Sequence, residues 1–210
     1  MITRYSEARL PTAHGEFHVF VYRTGRAGGA EASALGLAHE EHIAMVLGDV
    51  TGAGVLARVH SSCFTGEVLG SLRCDCRAQL DEALARIGAE GRGVLVYLVQ
   101  EGRGIGLGNK VRAYQLQDEG HDTVDANLAL GFDADHRSYD LAAGILRDLG
   151  VASVRLMTNN PKKIAGLEAA GVVVGAHESH WVGETAHSEG YLAAKRTKLG
   201  HLAHGTKGSR

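Results

Sequence analysis

The chain is short of cysteine, of proline, of net charge and of long apolar runs, and each shortage removes a class of protein. Three cysteines in 210 residues, an odd number and clustered, do not make a disulfide framework. A formal charge of -2 leaves no basic footprint for a nucleic-acid binder. No segment approaches a membrane span. The opening stretch MITRYSEARLPTAHGEF carries charges where a secretory leader needs an apolar run. A cytoplasmic protein with no membrane or nucleic-acid partner is expected. Only 2 prolines stand against 29 glycines, so turns are made by glycine, and some glycines are expected where a ligand approaches the backbone.

What cysteine there is falls in one stretch, Arg58 to Gln79 (RVHSSCFTGEVLGSLRCDCRAQ), as Cys63, Cys74 and Cys76. A structural zinc site closes its tetrahedron with four protein ligands, whereas a catalytic one takes three and leaves a position for water or substrate. Three thiols without a fourth therefore read as an open zinc site. The alternative is three buried thiols acting as small hydrophobes. Against it stand the Cys-x-Cys pair, which can present both sulfurs to one ion, and the charged neighbours Arg73, Asp75 and Arg77, which make a poor core.

Phe17 to Tyr22, His42 to Leu47, Val55 to His60, Val94 to Val99 and Val154 to Met157 are predicted strands. Leu80, Ala83, Leu84 and Ile87 recur at helical spacing before the glycine-rich run Gly88 to Gly93, which is expected to end that helix. Ala142, Ile145, Leu146 and Leu149 form a second helical stripe. The expected architecture is a single α/β domain over residues 1–200, with mixed β-sheets flanked by helices, and a mobile tail over 201–210. Gly25 to Leu37 reads as a surface insertion. From Gly175 the chain turns polar, and His177, His180, His187, His201 and His204 are expected as solvated loop residues.

Two further stretches carry chemistry. In Gln100 to Gly120 (QEGRGIGLGNKVRAYQLQDEG) a strand passes through a glycine-rich turn into a helix, one way of aiming N–H groups at an anion. Neither the Walker ending nor the dinucleotide fingerprint is present, so a plain tight turn stays open. Further on, Asn160 and Pro161 read as the N-cap and first position of a helix. Lys162 and Lys163 follow, where the helix dipole disfavours cations by a few tenths up to ~1 kcal/mol each. Lysines set against the dipole point to a phosphate. Asp135-x-Arg137 by itself reads as a solvated surface pair.

Taken together, RVHSSCFTGEVLGSLRCDCRAQL, EGRGIGLGNKVRAYQLQDEGHDTVDANLALGF, Asp135-x-Arg137 and LMTNNPKK resemble GTP cyclohydrolase II. The resemblance runs from about Arg58 to Val174 and is weaker over the first fifty residues. It implies a zinc enzyme, acting as a homodimer, that hydrolyses GTP to a diaminopyrimidine ribosyl monophosphate, formate and pyrophosphate at the start of riboflavin biosynthesis. It implies zinc on Cys63, Cys74 and Cys76, with Mg²⁺ on the triphosphate. It implies nucleotide contacts from Arg58, Val59, His60, Ser61, Ser62, Gln79, Glu101, Gly102, Arg103, Thr123, Thr158 and Lys163. Asp135 becomes the proton acceptor, Arg137 the nucleophile at the α-phosphorus, and Tyr114 an assistant to the zinc chemistry.

Two positions depart from the family pattern. Ser62 stands where Glu is usual, and Arg77 where Gly is usual. Both changes are expected to make the thiols' surroundings more cationic. They leave room for a specialised relative that stops at the formamide or takes another guanine nucleotide. A rival of another class is a zinc-stabilised module that binds nucleotide without turning it over.

Overall fold

The computed structural model describes residues 2–25, 39–120, 123–132, 137–188, 191–193, 200–201 and 208–209. The chain opens with β1 (Ile2–Thr12), β2 (Gly15–Gly25) and β3 (His39–Leu47), an antiparallel meander. Next come β4 (Val55–Ser61), the one-turn helix α1 (Phe64–Glu67), α2 (Cys76–Glu90) and β5 (Gly93–Leu98). A 3₁₀ turn (Glu101–Gly104) leads into α3 (Gly106–Asp118), followed by α4 (Thr123–Ala129) and α5 (Asp140–Asp148). β6 (Ser153–Met157), α6 (Pro161–Ala169), β7 (Val173–Glu178) and the two-residue β8 (Gly208–Ser209) complete the order.

All described strands join one sheet, in the order β1-β2-β3-β5-β4-β6-β7-β8. The middle strands β5, β4, β6 and β7 run parallel, while β3 meets β5 antiparallel and β8 meets β7 antiparallel. The five expected strands are all present, in a single mixed sheet. β1 and β7 gave no signal in the sequence. β1 exposes nearly every side chain, so it lacks the apolar alternation of a half-buried strand, and Gly175 interrupts the short apolar run of β7.

Period-2 alternation divides β4 between two jobs. Val55, Ala57 and Val59 pack into one apolar layer with Ile145 and Leu146 from α5, Leu149 at its C-cap, and Leu167 from α6. Leu56 faces the other layer, with Ala83 and Ile87 of α2, Leu95 and Met157. Arg58 and His60 share the face of Leu56, farther toward the carboxyl end of the strand. The chain leaves β4 toward β5 on one side, and β6 lies on the other. A crevice opens where such neighbours diverge, beyond the carboxyl ends of parallel strands. Ser62–Cys63, Gln100–Arg103 and Thr158–Asn160 follow the ends of β4, β5 and β6 at that place.

Helix α2 ends within the expected run Gly88 to Gly93. It continues to Glu90 and closes on Gly91, whose φ of 72° is left-handed. Gly88 is there for another reason: a Cβ on it would overlap the backbone carbonyl oxygen of His14 in the β1–β2 turn. Only glycine lets the helix lie against that hairpin. Residues 26–38, most of the expected insertion, lie outside the described residues.

In a free helix Gly88→Ala would gain ~1 kcal/mol of helix propensity. Here the overlap is expected to reverse the sign, with a net loss of ~2 kcal/mol that lowers Tm by roughly 4–8 °C. A thermal melt in which Gly88→Ala equals or exceeds the parent chain would refute the packing argument.

Candidate active site

Cys63 follows β4, and Cys74 and Cys76 lie at the start of α2. Their ligand atoms all fall within 4.8 Å of one another, and the Cys63 and Cys74 sulfurs are 3.6 Å apart. Hydrogen bonds from Cys74 and Cys76, together with the Lys110 ammonium, hold the Cys63 thiol far below its ordinary pKa. Sharing the same charge pushes Cys76 well above it. Ionising one sulfur therefore opposes ionising its neighbours. A divalent ion would let all three ionise, since the thiolate is the ligand form. The space behind them also fits: a Cβ on Gly66 would stand 2.8 Å from the Cys74 sulfur and 3.2 Å from that of Cys63. The cluster can hold a metal ion.

Beside the sulfurs runs a cleft whose floor is the end of β4. The Arg58 side chain is buried; its guanidinium donates to the Met157 carbonyl at 2.7 Å and to Gln79 Oε1 at 2.5 Å. Gln79 Nε2 in turn donates to Asp75 Oδ2 at 2.7 Å. Burial brings the Arg58 pKa down to about 10 against the pull of Asp75, so it stays a cation at neutral pH. His60 is buried, stacked on Tyr97 and 2.8 Å from Glu67 Oε1. Burial lowers its pKa despite Glu67. Ser62 Oγ accepts from the Gln100 N–H at 3.1 Å.

The turn after β5 supplies a second wall. Glu101 Oε2 accepts from the Phe64 N–H at 2.6 Å, and Oε1 accepts from the Gly102 N–H at 2.9 Å and from Lys110 Nζ at 2.7 Å. Gly102 and Arg103 are both left-handed, with φ of 61° and 63°. For arginine that backbone costs of order 1–3 kcal/mol, and it turns the side chain into the cleft. Both terminal nitrogens of Arg103 are buried without a hydrogen-bond partner among the described residues, as donors awaiting ligand oxygens would be.

The third wall follows β6. Asn160 caps α6, its side chain accepting from the Lys162 N–H at 3.0 Å, as the sequence indicated. Of the two lysines only Lys163 turns inward: it is 5% exposed and donates to the Val59 carbonyl at 2.7 Å, while Lys162 is exposed. Arg137 lines the same cleft, close enough for its charge to lower the Arg58 pKa. Tyr114 reaches in from α3, with its hydroxyl 3.2 Å from Thr65 Oγ1.

The structure therefore gathers Arg58, His60, Ser61, Ser62, Cys63, Cys74, Cys76, Gln79, Glu101, Gly102, Arg103, Tyr114, Arg137, Thr158 and Lys163 around one cleft. Val59 differs, because alternation turns its side chain into the core and leaves its carbonyl to hold Lys163. Asp135 lies outside the described residues, as does the side chain of Thr123. Arg77 does not face the thiols' cleft. Its side chain is 60% exposed beside Asp81 and donates to the Glu67 carbonyl at 2.7 Å, so water screens its charge. Of the histidines expected to be solvated, His187 is exposed, but His180 is buried and His201 lines the cleft beside Trp181. Lys110, Arg73 and Tyr191 also line it; nothing in their spacing pointed there.

The family model described as GTP cyclohydrolase II matches residues 3–179. The chain belongs to the GTP cyclohydrolase II family. The match takes in the N-terminal meander and β7, well beyond the stretch whose motifs are legible. GTP cyclohydrolase-2 of Hahella chejuensis is 50% identical over 202 residues, covering 96% of this chain and 92% of that protein. That of Pseudomonas paraeruginosa is 51% identical over 196 residues, covering 93% and 90%. The riboflavin biosynthesis protein RibBA of Bacillus subtilis (strain 168) is 50% identical over 206 residues, covering 97% of this chain and 49% of that protein. The chain thus spans about half the length of its RibBA relatives.

His180 ties this GTP cyclohydrolase II site to stability. Its Nε2–H donates to the Gln79 carbonyl at 2.9 Å, and burial together with Arg58 holds its pKa down to about 2. The unfolded chain binds a proton below about pH 6.5 that the fold refuses, so His180 contributes fully above that pH and loses up to ~1.4 kcal/mol per unit as pH falls below it. Tm is expected to drop between about pH 7 and about pH 5, and His180→Gln to flatten the drop. Equal slopes for parent and variant would contradict this.

Proposed function

We propose that the chain is a zinc-dependent GTP cyclohydrolase II that converts GTP to the diaminopyrimidine ribosyl monophosphate, formate and pyrophosphate, the opening step of riboflavin biosynthesis. On this reading residues 1–200 are the catalytic unit, Mg²⁺ accompanies the triphosphate, and the working form is a cytoplasmic homodimer. One observation carries it: a cluster of three thiols shares a cleft with Arg58, Arg103, Arg137 and Lys163 in a chain of net charge -2. Concentrated positive charge in a cleft attracts a polyphosphate, and three thiols with no fourth protein ligand among the described residues suit a catalytic metal.

Lys163 and the N-terminus of α6 stabilise charge on the phosphates, and Arg103 offers its two unpaired nitrogens to their oxygens. Arg137 attacks the α-phosphorus: a P–N bond forms as the P–O bond to pyrophosphate breaks. A guanidinium is ordinarily fully protonated, so Asp135 takes the proton. Zinc held by Cys63, Cys74 and Cys76 would supply Lewis acidity and activated water for attack on C8 of the guanine. Ring opening leaves a formamide, and its hydrolysis frees formate. Burial raises the Tyr114 pKa, so its hydroxyl keeps its proton and can donate it or a hydrogen bond at the ring-opening and deformylation steps. Hydrolysis of the P–N bond releases the product.

Zinc-loaded protein with GTP and Mg²⁺ is expected to yield formate and pyrophosphate together with the deformylated product mass. Arg137→Ala is expected to abolish both. Tyr114→Phe is expected to keep pyrophosphate release while formate falls ~100-fold. A product that retains its formyl group would favour the specialised relative, with Ser62 as the residue to exchange for Glu. Tight nucleotide binding without turnover would favour a binding module.

A further inference from the structure

Lys110, like Arg73, is a cation lining this cleft to which neither the sequence motifs nor the mechanism gives a task. Its ammonium lies 3.1 Å from the Cys63 sulfur and 2.7 Å from Glu101 Oε1. Lys110 and Glu101 are only 14% and 13% exposed, so this pair is far better shielded from water than an ordinary surface ion pair. The Glu101 carboxylate is engaged on both of its oxygens. It also accepts from the N–H of Phe64, the residue after Cys63, and from the N–H of Gly102, the residue before Arg103. A Cβ on Gly102 would sit 3.1 Å from Lys110 Cβ, so the turn is seated on the lysine stem. One ammonium and one carboxylate thus join three parts of the chain: the loop after β4 with its thiol, the turn after β5, and α3.

We propose that Lys110 is a positioning residue that fixes the Cys63 sulfur to the Glu101–Arg103 turn, so that the metal ligand and the arginine facing the substrate keep one separation. The inference rests on the metal and nucleotide reading above. An ion pair that merely stabilised α3 would have no use for the sulfur. A third contact, from a donor on one element to a ligand atom on another, is the arrangement by which outer groups orient a metal's ligands and draw electron density from them. The left-handed Arg103 backbone needs such support, because a strained turn persists only where its surroundings hold it.

Cobalt(II) in place of zinc gives a readout independent of turnover, since its sulfur-to-metal charge-transfer band reports on the thiolates. Lys110→Met removes the N–H···S bond while keeping the stem. It is expected to move that band to longer wavelength and to speed metal loss to a chelator by about 10- to 100-fold. Its KM for GTP is expected to rise more than kcat falls. Lys110→Arg keeps a donor and is expected to restore the band. Glu101→Gln touches no sulfur, yet is expected to shift the band in the same direction as Lys110→Met, because Glu101 aims the ammonium. Should Lys110→Met fail to fold, the comparison of Lys110→Arg with Glu101→Gln carries the test. A band at one wavelength in the parent, Lys110→Met and Glu101→Gln would overturn the inference. A parent protein with no thiolate–cobalt band would overturn the metal reading beneath it, a separate failure.

Discussion

Three sulfurs within 4.8 Å are a constraint that the rest of the site serves. Thiols this close cannot all ionise unless positive charge stands among them. That charge is supplied from outside by Lys110 and, on the proposed reading, from inside by zinc. The loops around the cluster are shaped accordingly. Gly66 keeps the back of the cluster clear of a Cβ, and α1 is a single turn whose end carbonyl is taken up by Arg77. The same segment that bends the chain around the thiols also starts the hydrogen bonds reaching the turn after β5.

A second constraint is the burial of cations. Arg58 and Lys163 are nearly inaccessible, a condition that costs heavily unless hydrogen bonds and opposite charge offset it. The offsets are specific: the Met157 carbonyl and Gln79 for Arg58, the Val59 carbonyl for Lys163, and Asp75 behind Gln79. The sheet makes this possible. One face of β4 anchors in the apolar layer through Val55, Ala57 and Val59, so the other face can carry Arg58 and His60 to its carboxyl end without loosening the strand.

Much of this was legible before any coordinates. Buried parallel strands write themselves as continuous apolar runs, and α6 announced its start through Asn160 and Pro161. The three cysteines could be read because they are so few and so close. What stayed hidden shares a physical reason, namely that its role depends on the partner across space and not on neighbours in sequence. β1 lies along the sheet's edge with its side chains in water, so its pattern is not apolar. His180 looked like a solvated loop residue until Asn159 and Gln79 closed over it. Lys110, two residues beyond Gly108 in the glycine-rich stretch, shows its purpose only when Cys63 and Glu101 are brought beside it. Val59 shows the converse: a motif takes in consecutive residues, whereas a strand turns every second side chain away.

The central claim is an open metal site of three thiolates facing a cationic cleft. Zinc K-edge X-ray absorption on the metal-loaded protein, with and without GTP, tests it most directly. The expected spectrum has three sulfur scatterers and one light scatterer in the first shell, with the light position perturbed when GTP is added. Fewer than three sulfurs, a histidine ring in the fourth position, or a first shell closed by four protein ligands and indifferent to GTP would contradict it.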